Sequence, residues 1–81
     1  MYVKLFVKSD CPRCPAAKRA VEGIDHVEVF DVDNIDGLAE ASFHGILATP
    51  SVLVVDSSGT EIESWRGETP DPGRLRELLA Q

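Results

Sequence analysis

The chain has no apolar run approaching the ~20 residues that a membrane-spanning helix needs. It is also short of positive charge, with 8 Lys and Arg against 14 Asp and Glu and a net charge of −6. A surface that grips phosphate backbones should be basic, so neither a membrane nor nucleic acid is an expected partner. No repeat, linker or low-complexity segment interrupts the 81 residues. A chain of that length makes one domain, residues 1–81, around a single core. No leader is expected either, since Met1 runs directly into a strand-like segment. Cysteine is limited to two residues, both in Cys11-Pro12-Arg13-Cys14. In a reducing cytoplasm, the expected location, such a pair is catalytic or metal-binding rather than structural.

The remaining sequence alternates strand and helix patterns. Tyr2 to Val7 is rich in β-branched and aromatic residues and reads as a strand. A helix follows from Pro12 to Glu22, stopped by Gly23. Val27 to Val32 alternates apolar and acidic residues as a second strand, with Glu28 and Asp31 on its solvated face. Asp33 to Gly37 form a turn, and Leu38 to Phe43 a short helix ending near Gly45. Ser51 to Val55 is a continuous apolar run of the kind found in a central strand. Asp56 to Gly59 turn the chain into an alternating strand from Thr60 to Trp65, antiparallel to the one before it. Gly67 ends that strand. Thr69 to Gly73 open a last helix, Arg74 to Ala80, with Leu75, Leu78 and Leu79 as its apolar stripe. Trp65 is expected to pack under this helix rather than to stack on a substrate.

The order β-α-β-α-β-β-α predicts an α/β fold with a four-stranded mixed sheet and three flanking helices. Both β-α-β crossings are expected to give parallel pairs, and the hairpin an antiparallel edge. Cys11 then falls at the C-terminal end of a parallel strand, where sites of open α/β sheets gather.

A Cys-x-x-Cys pair between strand and helix points to redox chemistry. With Cys11 at the helix N-cap, the free N–H groups of the first turn would favour a thiolate and lower its pKa from about 8.5. Cys14, one turn along the same face, is placed to close a disulfide. Arg13 and Lys8 would add positive charge, and Asp10 would oppose them. Pro12 suits the first helical position. Pro15, at the fourth, would leave the carbonyl of Cys11 free.

Cys11-Pro12-Arg13-Cys14 at the strand-to-helix turn, Ala48-Thr49-Pro50 before the third strand and Gly67 after the fourth together resemble the thioredoxin/glutaredoxin superfamily over nearly the whole chain. In size, and in Lys8 and Pro12, the chain is similar to a glutaredoxin. From Phe43 to Gly67 its order and spacing are closer to thioredoxin. The resemblance implies that Pro50 is a cis-proline packed against the disulfide, and that the backbone of Thr49 is free to pair with an extended substrate segment. Pro12 and Arg13 would complete the substrate surface. The chain departs from thioredoxins in having Asp10 in place of a Trp before the first cysteine. It also has Leu5 in place of a buried acid. It departs from glutaredoxins in having Arg13 in place of an aromatic residue, and in lacking a Gly-Gly turn followed by acidic residues.

The expected function is reduction of protein disulfides, with Cys11 as nucleophile, Cys14 as resolving thiol, and no cofactor beyond the Cys11–Cys14 disulfide itself. Disulfide-containing target proteins, and a thioredoxin-reductase-type or small-thiol electron donor, are the expected partners. Two alternatives use the same cysteines. One is a glutathione-dependent glutaredoxin activity; the other is a metal or iron–sulfur module. For zinc, His26 and His44 would complete the set, but 17 residues separate them, where a zinc finger needs three to five. No metal is expected. His26 reads as a loop residue and His44 as a partly exposed residue near the site.

Overall fold

The computed structural model describes all residues, Met1–Gln81. Its elements are β1 (Tyr2–Val7), α1 (Cys14–Ala20), β2 (Val27–Asp31), α2 (Ile35–Phe43), β3 (Ser51–Val55), β4 (Glu61–Arg66) and α3 (Pro72–Leu79). The four strands form one sheet in the order β2-β1-β3-β4. Strand β1 pairs with β2 in parallel, Leu5 opposite Val29. It pairs with β3 antiparallel, Leu5 opposite Val52, and β3 with β4 antiparallel, Val52 opposite Trp65. The mixed sheet is as expected; the second crossing is not. β3 runs against β1 because the segment after α2 brings the chain back to the Cys11 end of the sheet, where Ala48 and Thr49 line one groove with Cys11, so β3 starts where β1 finishes. A strand buried on both faces carries no pattern that would fix its direction.

Alternation along β1 divides the core. Val3, Leu5 and Val7 face the α1 and α3 side, where they join Cys14, Ala17, Val21, Val52, Val54, Leu75 and Leu78. Phe6 faces the other side with Ala41, Ile46, Leu53 and Val55. Every residue of β3 is buried, which is why its sequence is an unbroken apolar run. Trp65 packs against the cluster containing Leu75 and Leu78, as expected.

Three local devices fix the frame. Helix α3 starts at Asp71, whose carboxylate accepts from the Gly73 N–H at 3.0 Å, with Pro72 in the first turn. The β3–β4 turn is held by Asp56 Oδ1, which accepts from Ser58 N–H, Ser58 Oγ–H and Thr60 N–H. Helix α2 begins at Ile35, earlier than the turn signals of Asp33 to Gly37 suggest, so Gly37 lies inside it. A Cβ at Gly37 would stand 2.0 Å from the Asp31 carbonyl oxygen. Glycine there lets α2 lie directly on the end of β2.

Candidate active site

The segment after β1 carries Cys11, which is part-exposed, and Cys14, which is 3% exposed within the core. The two are joined as a disulfide, with Cα atoms 5.4 Å apart, inside the usual range. Helix α1 starts later than the sequence suggests. Arg13 occupies the N-cap and Cys14 the first helical position, so Cys11 lies one turn ahead of the helix. Its carbonyl is not free either: it accepts from the Cys14 N–H at 3.2 Å. Pro15 therefore sits at the second helical position, where the missing N–H costs no helical bond. Lys18 and Arg19 fall in the last turn of α1, where they favour the helix dipole.

A groove of about 350 Å³ runs past the disulfide, lined by Lys8, Asp10, Cys11, Pro12, Arg13, Leu47, Ala48 and Thr49. The fold thus brings to one place Lys8, Asp10, Cys11, Pro12, Arg13 and Thr49, all named from sequence. The Thr49–Pro50 bond is cis. Pro50 itself is fully buried and does not line the groove. Thr49 Oγ1 is buried without a hydrogen-bond partner. A smaller apolar pocket, about 160 Å³, adjoins the groove through the shared Lys8, Leu47, Ala48 and Thr49, and adds Val32, Leu38, Ala41 and Ile46.

Arg13 is not a loose surface cation. Its Nη2 donates to the Gly67 carbonyl at 2.8 Å, tying the cysteine loop to the loop after β4. Just before the cysteine loop, Asp33 Oδ2 accepts from the Ser9 N–H at 3.0 Å and the Ser9 hydroxyl at 2.7 Å. These bonds, with the charge of Lys8, hold the Asp33 carboxyl below its ordinary value.

Behind the sheet, on the face away from Cys14, Lys4 donates to Glu40, and His44 Nε2 lies 3.2 Å from both Lys4 Nζ and Glu40 Oε2. His44 is partly exposed as a residue, as expected, but its side chain is only 6% exposed and belongs to this cluster rather than to the cysteine groove. His26 stacks on Tyr2 with ring centroids 4.4 Å apart. Neither histidine is brought to the cysteine pair, and no group of three or more His, Cys, Asp or Glu is arranged to hold a metal ion. Leu5, in the place where thioredoxins bury an acid, is fully buried among apolar residues.

No protein-family model matches the sequence. Individual relatives do. Over 74 residues, 88% of this chain and 83% of the relative, it is 35% identical to the glutaredoxin-like protein NrdH of Escherichia coli. The chain belongs to the thioredoxin/glutaredoxin superfamily. A second relative, a thioredoxin of Methanocaldococcus jannaschii, is 37% identical over 57 residues, 64% of this chain and 67% of that one. Among solved structures, E. coli NrdH-redoxin superposes with a TM-score of 0.62 and 30% identity, covering 96% of this chain and 95% of its own. Thioredoxin 1 of Thermosipho africanus gives a TM-score of 0.73 over 99% of this chain and 91% of its own. At 19% identity this last likeness concerns the fold alone. With a bonded Cys-x-x-Cys pair in this superfamily fold, the protein is a thiol–disulfide oxidoreductase.

Sequence reasoning missed two residues of the site. Leu47 is 98% exposed on the groove rim, and nothing in its local sequence singles it out. Ser51, 0% exposed at the head of β3, gave no signal beyond being polar.

Proposed function

We propose that this protein reduces disulfides in target proteins, using its own Cys11–Cys14 pair and no added cofactor. The observation that carries the reading is the unequal burial of the two cysteines. Cys11 opens onto the groove while Cys14 is 3% exposed. Only Cys11 is placed to meet a bulky partner. Its thiolate attacks one sulfur of the target disulfide; a Cys11–target bond forms, the target S–S bond breaks, and the departing target thiolate takes up a proton. Cys14, deprotonated, then attacks the Cys11 sulfur. The Cys11–Cys14 bond forms, and the second target sulfur leaves as a thiol. A dithiol reductase or a small thiol in the cytoplasm returns two electrons to the pair.

Lys8 and Arg13, at the two ends of the cysteine loop, supply the positive charge that favours the Cys11 anion, and Asp10 moderates it. Thr49 presents its backbone to the target, and Pro50 holds that turn behind it. Pro12 and Arg13 form the wall beside the attacking sulfur. The thioredoxin-like half of the chain and the absence of a Gly-Gly turn before acidic residues favour a protein substrate over glutathione.

Reduction of insulin with dithiothreitol as donor tests this. Wild type should be active and Cys11→Ser inactive, while Cys14→Ser should trap a mixed disulfide with its target. Equal inactivity in all three, with small disulfides still reduced by the wild type, would exclude proteins as the substrate.

A further inference from the structure

Ser51 is buried, yet it belongs to no secondary-structure ladder through its side chain. Its hydroxyl donates to the Ala48 carbonyl at 2.7 Å and accepts from the Gly67 N–H at 3.0 Å. The Gly67 carbonyl in turn accepts from Arg13. Four residues from three segments are thus joined in one line: the cysteine loop, the loop after β4 and the turn before β3. The donors all point the same way, from the Arg13 cation to the Ala48 oxygen. The Gly67 N–H and carbonyl belong to two peptide groups on either side of its Cα, so what the line couples is position, not polarisation. Gly67 cannot be replaced freely in this line. Its φ is +72°, and a Cβ there would stand 3.2 Å from the Ala48 Cβ.

The end of the line is where it acts. The Ala48 carbonyl and the Thr49 N–H belong to one planar peptide group. A hydrogen bond at the oxygen fixes the plane and draws electron density toward it, which makes the N–H a better donor. The Thr49 N–H takes part in none of the chain's backbone hydrogen bonds, and Thr49 lines the groove beside Cys11. We propose that Ser51 is a positioning residue. Through Gly67 and Arg13 it holds the Ala48–Thr49 peptide ready to bond the extended backbone of a target next to its disulfide. This rests on the reading of the protein as a protein-disulfide reductase.

The test compares two substrates. One is an extended peptide with an intramolecular disulfide. The other is 5,5′-dithiobis(2-nitrobenzoate), which has the disulfide but no peptide backbone. In Ser51→Ala the ratio of kcat/KM for the peptide to that for the small disulfide should fall about tenfold, mostly through KM for the peptide. Ser51→Thr, which keeps the hydroxyl, should recover the ratio. An unchanged ratio in Ser51→Ala, with the wild type active on the peptide, would overturn the role of Ser51 alone. Equal losses on both substrates would also overturn it, since a merely structural hydroxyl gives that result. A wild type that reduces the small disulfide but not the peptide would overturn the protein-substrate reading itself.

Discussion

Lys4 reaches from the middle of the sheet to Glu40 on α2, across 36 residues of sequence. Its side chain is 11% exposed and that of Glu40 28%, so each charge depends on the other. Removing the carboxylate strands a mostly buried ammonium, a mechanism that destabilises well beyond a surface pair. Glu40→Ala should cost about 2 kcal/mol, given the partial exposure of the pair. Lys4→Met combined with Glu40→Gln should recover most of this, because no charge is then buried and His44 keeps a partner. Urea midpoints would decide. A double variant as unstable as Glu40→Ala would assign the cost to lost packing instead.

The same pair shapes the pH dependence. The Lys4 hydrogen bond and charge, with help from His44, hold the Glu40 carboxyl below its ordinary value against the opposing effect of burial. Burial pulls Lys4 down, yet Glu40, with Tyr2 and Glu28, keeps its pKa above the ordinary value. The Glu40 contribution is full above the ordinary carboxylate pKa and is lost as pH falls through the lowered one. That of Lys4 is full below its ordinary pKa and is lost as pH rises through the raised one. Stability should therefore be level from about pH 5 to 10 and fall on both sides. In Glu40→Gln the acid limb should shrink without vanishing, since Asp33 and Asp56 are also held low by hydrogen bonds from Ser9 and from Ser58 and Thr60. Urea midpoints measured across pH would show it, and an unchanged acid limb would rule Glu40 out as a contributor.

Gly37→Ala should be destabilising, by about 3 kcal/mol. In an ordinary helix interior the same change helps by about 1 kcal/mol. Here a Cβ would collide with the Asp31 backbone, which cannot rotate away as a side chain would. The helix must lift off β2, taking the first turn of α2 with it. A thermal midpoint equal to or above that of the wild type would show that α2 does not lie so close.

These particulars mark what the sequence could and could not say. The cysteine pair, the element order and the Asp56 turn were legible because each is encoded locally, by spacing, alternation or turn chemistry. The direction of β3 was not, because a strand covered on both faces has no polar side to read. The start of α1 was ambiguous because Pro15 is tolerated at either the second or the fourth position. Gly37 read as a turn residue, since nothing in the sequence reveals that a neighbouring backbone will come within touching distance. Ser51, Lys4 and His44 take their meaning from partners 16 to 40 residues away. Local pattern does not carry that information.

Leu47 offers the most direct test of how targets dock. It is 98% exposed, so it contributes almost nothing to the core, yet it borders both the Cys11 groove and the apolar pocket beside it. An apolar side chain held in water at that position gains only when a partner covers it, and full burial of a leucine is worth about 1.5–3 kcal/mol. Covering roughly half of it, as a groove rim would be covered, corresponds to about five- to tenfold in affinity. Leu47→Ser should accordingly leave the urea midpoint within about 0.5 kcal/mol of wild type while raising KM for insulin about fivefold. The effect should fall on KM and spare kcat, because the side chain touches the target and not the reacting sulfurs. Unaltered kinetics would mean that targets approach Cys11 from the Gly67 side, leaving the Leu47 rim uncovered.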